Sequence, residues 1–410
     1  MALNLLWIIF FLLAFVTALV RLIFFGDTEI FKTMVDGIFD SAGTSVQIAL
    51  GLIGVMALFL GFLNIGEKAG AVNFLSRIIG PFFHKLFPEV PKNHPSMGHM
   101  VMNFSANLLG LDNAATPFGL KAMKSLQELN PSQDTASNAQ IMFMVLHASG
   151  LTIIPVSIIA QRAILKSNDP TSIFIPCMIA TFAATVVALT VVALKQKINL
   201  FQPVILLWVV GISALIGSLV YFLRIHPGYV DPFSKVFSNS LILLLFIVFI
   251  IGGMVKRINV YETFIEGAKQ GFQVAVTIIP YLVAMLVAIS VLRSSGILDW
   301  ITLGIGSFFH FLGFNTDFVP ALPTALMRPL SGAAGRGMMI STMTQYGPDS
   351  FVGRLACVFQ GTADSTFYIA ALYFGSVGIN KIRYAIPAAL LADLAAIVTA
   401  ILVSYIFFAH

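Results

Sequence analysis

Apolar residues in this chain come in long runs, not in the alternation of half-exposed elements. Seven runs stand out: Leu5–Phe25, Val46–Ile65, Ile173–Leu194, Phe201–Leu223, Leu241–Val255, Val274–Leu292 and Ile386–Phe408. A helix crosses a bilayer with roughly 20 apolar residues, so each run predicts a membrane helix. Two further runs, 139–161 and 355–374, are interrupted by polar groups. Two longer stretches, about 66–138 and 294–349, mix apolar segments with Gly, Pro and polar clusters. The first run has no basic residue before it, which predicts a retained helix in place of a cleaved signal. Asp27, Glu29, Lys32, Asp36 and Asp40 after it read as a mostly acidic loop.

The pattern repeats itself. Ile79-Gly-Pro-Phe-Phe-His84-Lys-Leu86 matches Ile305-Gly-Ser-Phe-Phe-His310-Phe-Leu312 at six of eight positions. Asn113-Ala-Ala then aligns with Gly332-Ala-Ala, and Ile175-Pro176 with Ile386-Pro387. The matches keep their order and their spacing shrinks steadily, as in a duplication whose second copy has shorter loops.

Basic loops set orientation in a membrane. Lys195 and Lys197 place the end of Ile173–Leu194 in the cytoplasm, and Lys256-Arg257 do the same two helices later. The first helix of half one ends at the acidic stretch, outside; its counterpart in half two ends at Lys256-Arg257, inside. The copies are therefore expected to be inverted, with Phe201–Leu223 as the linker helix that flips the second. Inverted repeats with broken helices are the build of many secondary transporters. The stretch 66–138 begins and ends on one side, so it crosses an even number of times or enters as hairpins. Irregular backbone survives at that depth only inside protein or against a water-filled cavity.

Composition supports this solvent and narrows the chemistry. The chain has 410 residues, 58% hydrophobic and 10% charged, with mean hydropathy +0.93; soluble domains carry about 25% charged residues. The net charge of +5 is spread over loops, with no basic block that suggests nucleic acid. Cys177 and Cys357 lie in apolar runs and read as core residues. No His/Cys cluster has metal-ligand spacing, and no cofactor is implied.

Few acids fall in apolar surroundings: Asp112, Asp364 and Asp393. Ionisable residues there cost several kcal/mol in most estimates and are functional candidates; Asp393 reads equally as a helix-packing group. Half one offers Asn103, Ser105 and Asn107, then Asp112, Asn113 and Thr116. Half two offers Thr324 and Arg328, then Ser331, Gly332, Gly335 and Arg336. Each is an apolar segment, a break and a helix start, with Asp112 or Asn113, and Ser331, as N-caps. Free N–H groups and a positive dipole end would suit an anion, the glycines would admit a ligand close to the backbone, and the arginines could add charge-assisted bonds. A second pair of breaks holds His147 and Ser149 in half one, and Gln360, Thr362, Asp364, Ser365 and Thr366 in half two. Hydroxyls around a carboxylate suit Na⁺ or proton coupling, with Asp364 and Asp112 as its acids. His147 reads alternatively as an interhelical hydrogen-bonding group, and His84 and His310 as interfacial anchors. Catalysis is not expected: His147 and Ser149, two apart on a helix, do not face each other, and no triad can be completed.

The stretch Met102–Pro117 resembles spore maturation protein A, and Pro320–Gly337 with Gly361–Thr366 resembles spore maturation protein B. The chain thus looks like a fusion of the two, each with a nucleoside-recognition (gate) domain. Such domains also occur in concentrative nucleoside transporters and ferrous iron transporters, whose inverted repeats have re-entrant hairpins and unwound helices. The resemblance implies an all-α polytopic membrane protein of two inverted gate repeats. Residues 1–197 form the A-like repeat, 198–237 the linker helix and external loop, and 238–410 the B-like repeat. The expected function is secondary transport of a small polar or anionic solute, coupled to Na⁺ or H⁺, by a homo-oligomer in a bacterial cytoplasmic membrane with a cytoplasmic N-terminus. The alternative is a non-transporting scaffold in envelope or spore maturation.

Overall fold

The computed structural model describes residues 2–91, 93–108, 112–152, 155–226 and 229–408. Among these the secondary structure is helical, with no strand. Half one runs α1 (Ala2–Phe25), α2 (Ile30–Ala69), α3 (Ala71–Leu86), α4 (Pro95–Leu108), α5 (Asp112–Glu128), α6 (Asn138–Ala148), α7 (Val156–Ile164) and α8 (Phe174–Gln196). After α9 (Pro203–Ile225) the order recurs as α10 (Val230–Val255), α11 (Val260–Ser294), α12 (Ile297–Phe311), α13 (Leu322–Met327), α14 (Gly332–Tyr346), α15 (Phe351–Gly361), α16 (Thr366–Gly375) and α17 (Ala385–Phe408). Segments of α1, α2, α8, α9 and α17 are long and apolar enough to cross a membrane, and the protein is a multi-pass membrane protein. Leu207, Leu215, Leu243, Leu303 and Leu402 are among the apolar side chains left exposed, as a lipid-facing surface requires.

One expectation is corrected. The acidic stretch after α1 is not a loop: it opens α2, a helix of 40 residues. Ile30 and Met34, one turn apart, are buried, while Lys32, Asp36 and Asp40 face outward. This is the i, i+4 pattern of an amphipathic helix. At 1.5 Å per residue α2 is about 60 Å long, well beyond a bilayer's thickness of about 40–45 Å.

Helices of matching order pack against each other in antiparallel pairs. Asn64 Nδ2 donates to Thr263 O at 2.7 Å near one end of the α2–α11 contact, and Ser290 Oγ to Gly37 O at 2.9 Å near the other. Lys68 pairs with Glu266 beside the first of these. The backbones touch in between: a Cβ on Gly271 would lie 2.6 Å from Ala57 Cα, and one on Gly267 2.3 Å from Leu60 O. Close approach at small residues is what holds helices together where lipid supplies no hydrophobic drive. In α8–α17, the start of α8 and the end of α17 share one apolar core, and the end of α8 and start of α17 share another. Likewise α1 packs on α11 and α10 on α2, so each half's first helix lies on the other half's second.

The two cores are capped by two polar clasps between the halves. In the first, Lys381 Nζ lies 2.7 Å from Asp134 Oδ2, and Arg383 Nη1 donates to Ala136 O and Asn138 Oδ1. In the second, Arg162, fully buried, donates to Asp349 Oδ1 at 3.0 Å, to Ser167 Oγ and to the carbonyls of Asp169, Pro170 and Pro348. The broken line α6–α7 runs from the first clasp to the second, and α15–α16 runs back.

Two measurements check this packing. Gly271→Ala and Gly267→Ala each force α2 and α11 apart and should cost about 1–3 kcal/mol, read as a lowered Tm in detergent. Both clasp carboxyls titrate low. The Lys381 hydrogen bond, with Thr135, holds Asp134 down to about 2. Burial would raise Asp349, but bonds from Ser167 and the Asn168 N–H, with Arg162, outweigh it. A depressed carboxyl stabilises above its unfolded pKa of about 3.9 and loses that as pH falls through the folded value. Stability should therefore drop below about pH 4, less steeply in Asp134→Asn and Asp349→Asn.

Candidate functional site

The ends of α4 and α5, the tip between α13 and α14, the facing ends of α6 and α7, and the gap between α15 and α16 converge between the two cores. They enclose a cavity of about 830 Å³, lined from both halves. Broken helices free backbone groups that must be paired within the protein, and here that pairing runs both between the halves and within half two. Asp364 N donates to Ala148 O at 2.8 Å, joining the two gaps, and Phe367 N donates to Pro329 O at 3.1 Å, joining a tip to a gap. Gly150 takes a left-handed φ of 55° to turn the first gap, and a Cβ there would lie 3.3 Å from Asp364 N. Ser331 caps α14 by accepting from Ala334 N.

The charged centre is built on Arg328. Its Nε donates to Gln360 O at 2.9 Å, its Nη1 to Ser365 Oγ at 3.0 Å, and its Nη2 lies 3.4 Å from Asp364 Oδ1. Three planar donors on one side chain fix the second tip against the second gap. The other carboxylate oxygen, Asp364 Oδ2, lies 3.6 Å from His147 Nε2. Arg336, on α14, also lines the cavity. Gln360 Nε2 donates to Gly332 O at 3.3 Å, while its buried Oε1 has no partner in the protein.

Behind this wall lies a fully buried polar layer. Asn103 Nδ2 donates to Ala115 O at 2.6 Å, and Asn103 Oδ1 meets His147 Nδ1 at 2.9 Å. The Tyr373 hydroxyl lies 3.2 Å from His147 Nδ1 and 3.3 Å from Asn103 Nδ2. Tyr373 packs so closely on α5 that a Cβ on Gly119 would fall 1.8 Å from its hydroxyl.

Of the residues proposed from sequence, Asn107, Thr116, His147, Arg328 and Ser331 reach the cavity, with Gly332, Arg336, Gln360, Asp364 and Ser365. Others serve the backbone or the packing. Ser149 and Thr362 donate to the carbonyls of Leu146 and Phe359, closing the ends of α6 and α15. Ser105 contacts Ser76, and Thr366 donates to Asp393 Oδ2 at 2.7 Å. Thr324 is buried away from the cavity, and Gly335 packs on Gln360 and Arg328 rather than facing a ligand. Asn103 lies behind the cavity wall, bonded to His147 and Ala115 O. The side chains of Asp112 and Asn113 lie outside the described residues, although α5 starts at Asp112. Thr152, Ser157 and Tyr368 line the cavity without having been singled out. Tyr373 was missed too; its only signal was a hydroxyl inside an apolar helix.

The fold and cavity define a multi-pass helical membrane protein of two matched halves with a charged cavity between them. The chain belongs to the Gate nucleoside-recognition family, whose profile matches residues 49–166 and 275–380, more than half of it. Among individual proteins it is similar to spore maturation protein B of Bacillus subtilis (strain 168), 47% identical over 156 residues, or 38% of this chain and 86% of that one. It is also similar to spore maturation protein A of the same organism, 38% identical over 156 residues, or 38% of this chain and 80% of that one. No solved structure matches it.

The central ion pair and the buried layer should respond differently to substitution. Arg328→Gln leaves Asp364 without its guanidinium and should cost about 2–3 kcal/mol. Adding Asp364→Asn should recover part of that loss, because the stranded charge goes with it. A double variant less stable than either single would contradict this arrangement. Gly119→Ala should push Tyr373 out of its place and cost at least about 1–3 kcal/mol, measured as thermal stability in detergent.

Proposed function

We propose that the protein is a secondary transporter of a small polar or anionic metabolite, coupled to Na⁺ or H⁺, in a bacterial cytoplasmic membrane. The observation that carries this reading is the cavity, lined by Arg328, Arg336, Asp364 and His147 where four helix interruptions meet. Charged groups at membrane depth are costly and mark solute paths, and transporter sites lie where unwound helices of two repeats converge. The antiparallel pairing of α2 with α11 and α8 with α17 supports inverted repeats. The α4–α5 and α13–α14 segments are then re-entrant hairpins. Lys195, Lys197, Lys256 and Arg257 stand at the ends of α8 and α10, whereas Asp27 and Glu29 follow the end of α1. By the positive-inside rule this supports a cytoplasmic N-terminus.

A scaffold without transport activity would be better served by an apolar interior, and the polar cavity weighs against it. Enzymatic chemistry has little support: the Ser149 hydroxyl is engaged with Leu146 O and Thr185, so it is not poised as a nucleophile.

The test begins with a stability screen of the purified protein against nucleosides, carboxylates and phosphates. A bound ligand raises Tm by mass action, by about 2.7 kcal/mol of stability at 100 times its Kd. The stabilising compound should then be taken up into proteoliposomes, and Arg336→Ala and Asp364→Asn should each reduce uptake at least tenfold, about 1.4 kcal/mol. Uptake equal to wild type in both variants would remove these residues from the site.

A further inference from the structure

We propose that His147 and Asp364 form a proton-binding site on the cavity wall, and that the ion taken there is H⁺, not Na⁺. The coupling role of this site rests on the transport reading above; its existence does not.

The hydrogen-bond network assigns the imidazole. Asn103 Nδ2 is spent on Ala115 O, so it is Oδ1 that faces the ring at 2.9 Å. A carbonyl oxygen accepts, so His147 Nδ1 carries a hydrogen. In the neutral ring Nε2 then presents a lone pair, and it points at Asp364 Oδ2 from 3.6 Å. A lone pair against a carboxylate is repulsive; one proton on Nε2 converts the contact into an imidazolium–carboxylate pair. His147 is only 4% exposed, whereas the Asp364 side chain is 37% exposed to the cavity. The proton site is thus deep on one side and reachable from the other.

Sodium fits poorly. The hydroxyls around the carboxylate are committed: Ser365 to Arg328, Thr362 to Phe359 O and Thr366 to Asp393. The Arg328 guanidinium already lies on the far oxygen of Asp364. A metal cation would have to enter between a guanidinium and an imidazole with few oxygens to replace its water.

Loading is a simple transfer: an O–H bond of a hydronium ion in the cavity breaks as an N–H bond forms at Nε2, water is left behind, and no other covalent bond changes. With the ring neutral, Arg328, Arg336 and Asp364 sum to one positive charge; with it protonated, the cavity holds two. The other groups around the ring are Asn103 from α4 and Tyr373 from α16. Asp393, on α17, is bound to Thr366. A cavity that gains positive charge on protonation binds an anion more tightly, which is the thermodynamic form of proton–anion symport.

The test needs no transported solute. Protein with ¹⁵N-labelled histidine in lipid nanodiscs is titrated by NMR from about pH 9 to about pH 4.5. The His147 ring is identified by its loss in His147→Gln or, should that variant not fold, by its perturbation in Tyr373→Phe. It should be Nδ1-protonated at high pH and doubly protonated at low pH, and Asp364→Asn should remove that transition from the window. A ring that stays neutral throughout, carries its hydrogen on Nε2 at high pH, or titrates unchanged in Asp364→Asn overturns the proposal. In a second arm Tm is compared in NaCl and choline chloride at equal ionic strength. No Na⁺-specific effect is expected; a Na⁺-specific rise of about 3 °C or more, lost in Asp364→Asn, would overturn it. A proton site in a protein that moves no solute would sink the proposed function and leave this one standing.

Discussion

A helix broken inside a membrane leaves N–H and C=O groups that lipid cannot satisfy, and that constraint organises this molecule. Some breaks are closed within a half, where Arg328 spreads its donors over Gln360 O, Ser365 and Asp364. Others are closed between the halves: the backbone of Asp364 reaches across to Ala148 O, and the cavity lies where the breaks face one another. The apolar cores on either side and the clasps at either end hold the breaks in register.

The same constraint explains where the polar residues go. Most hydroxyls near the breaks close helix ends, as Ser149 and Thr362 do. The cavity itself is lined by a different set of groups, among them Arg336, Asn107 and Asp364. The halves match in element order but not in charge. Half two supplies the guanidiniums and the carboxylate, and half one supplies the imidazole and the Asn103 layer behind it.

Much of the frame was legible in the sequence because its signals are local. Runs of apolar residues, the repeated Phe-Phe-His motif, and Gly and Pro at the breaks each act over one or two helical turns. The misreading of Asp36 and Asp40 as a loop has a local cause too. A helix that runs past the bilayer carries acids on one face, and their density hid the Ile30–Met34 spacing that places them in α2. In the site, the positions of the breaks were readable but the duties of the residues were not. Asn103 looked like a ligand group and is a support for His147, 44 residues away in sequence; Tyr373, the third member, is 226 residues from His147.

The sequence by itself determined that this chain dissolves in lipid, that it is duplicated, and where its helices must break. Those properties follow from side-chain solubility and backbone propensity, which each segment carries regardless of its neighbours. The tertiary structure alone decided that Asp364 N meets Ala148 O and that His147 lies beside the Asp364 carboxylate. Such pairings depend on distances across the interface of the two halves, set by the close crossing of α2 and α11 and the clasps at Asp134 and Arg162, and no local pattern encodes them.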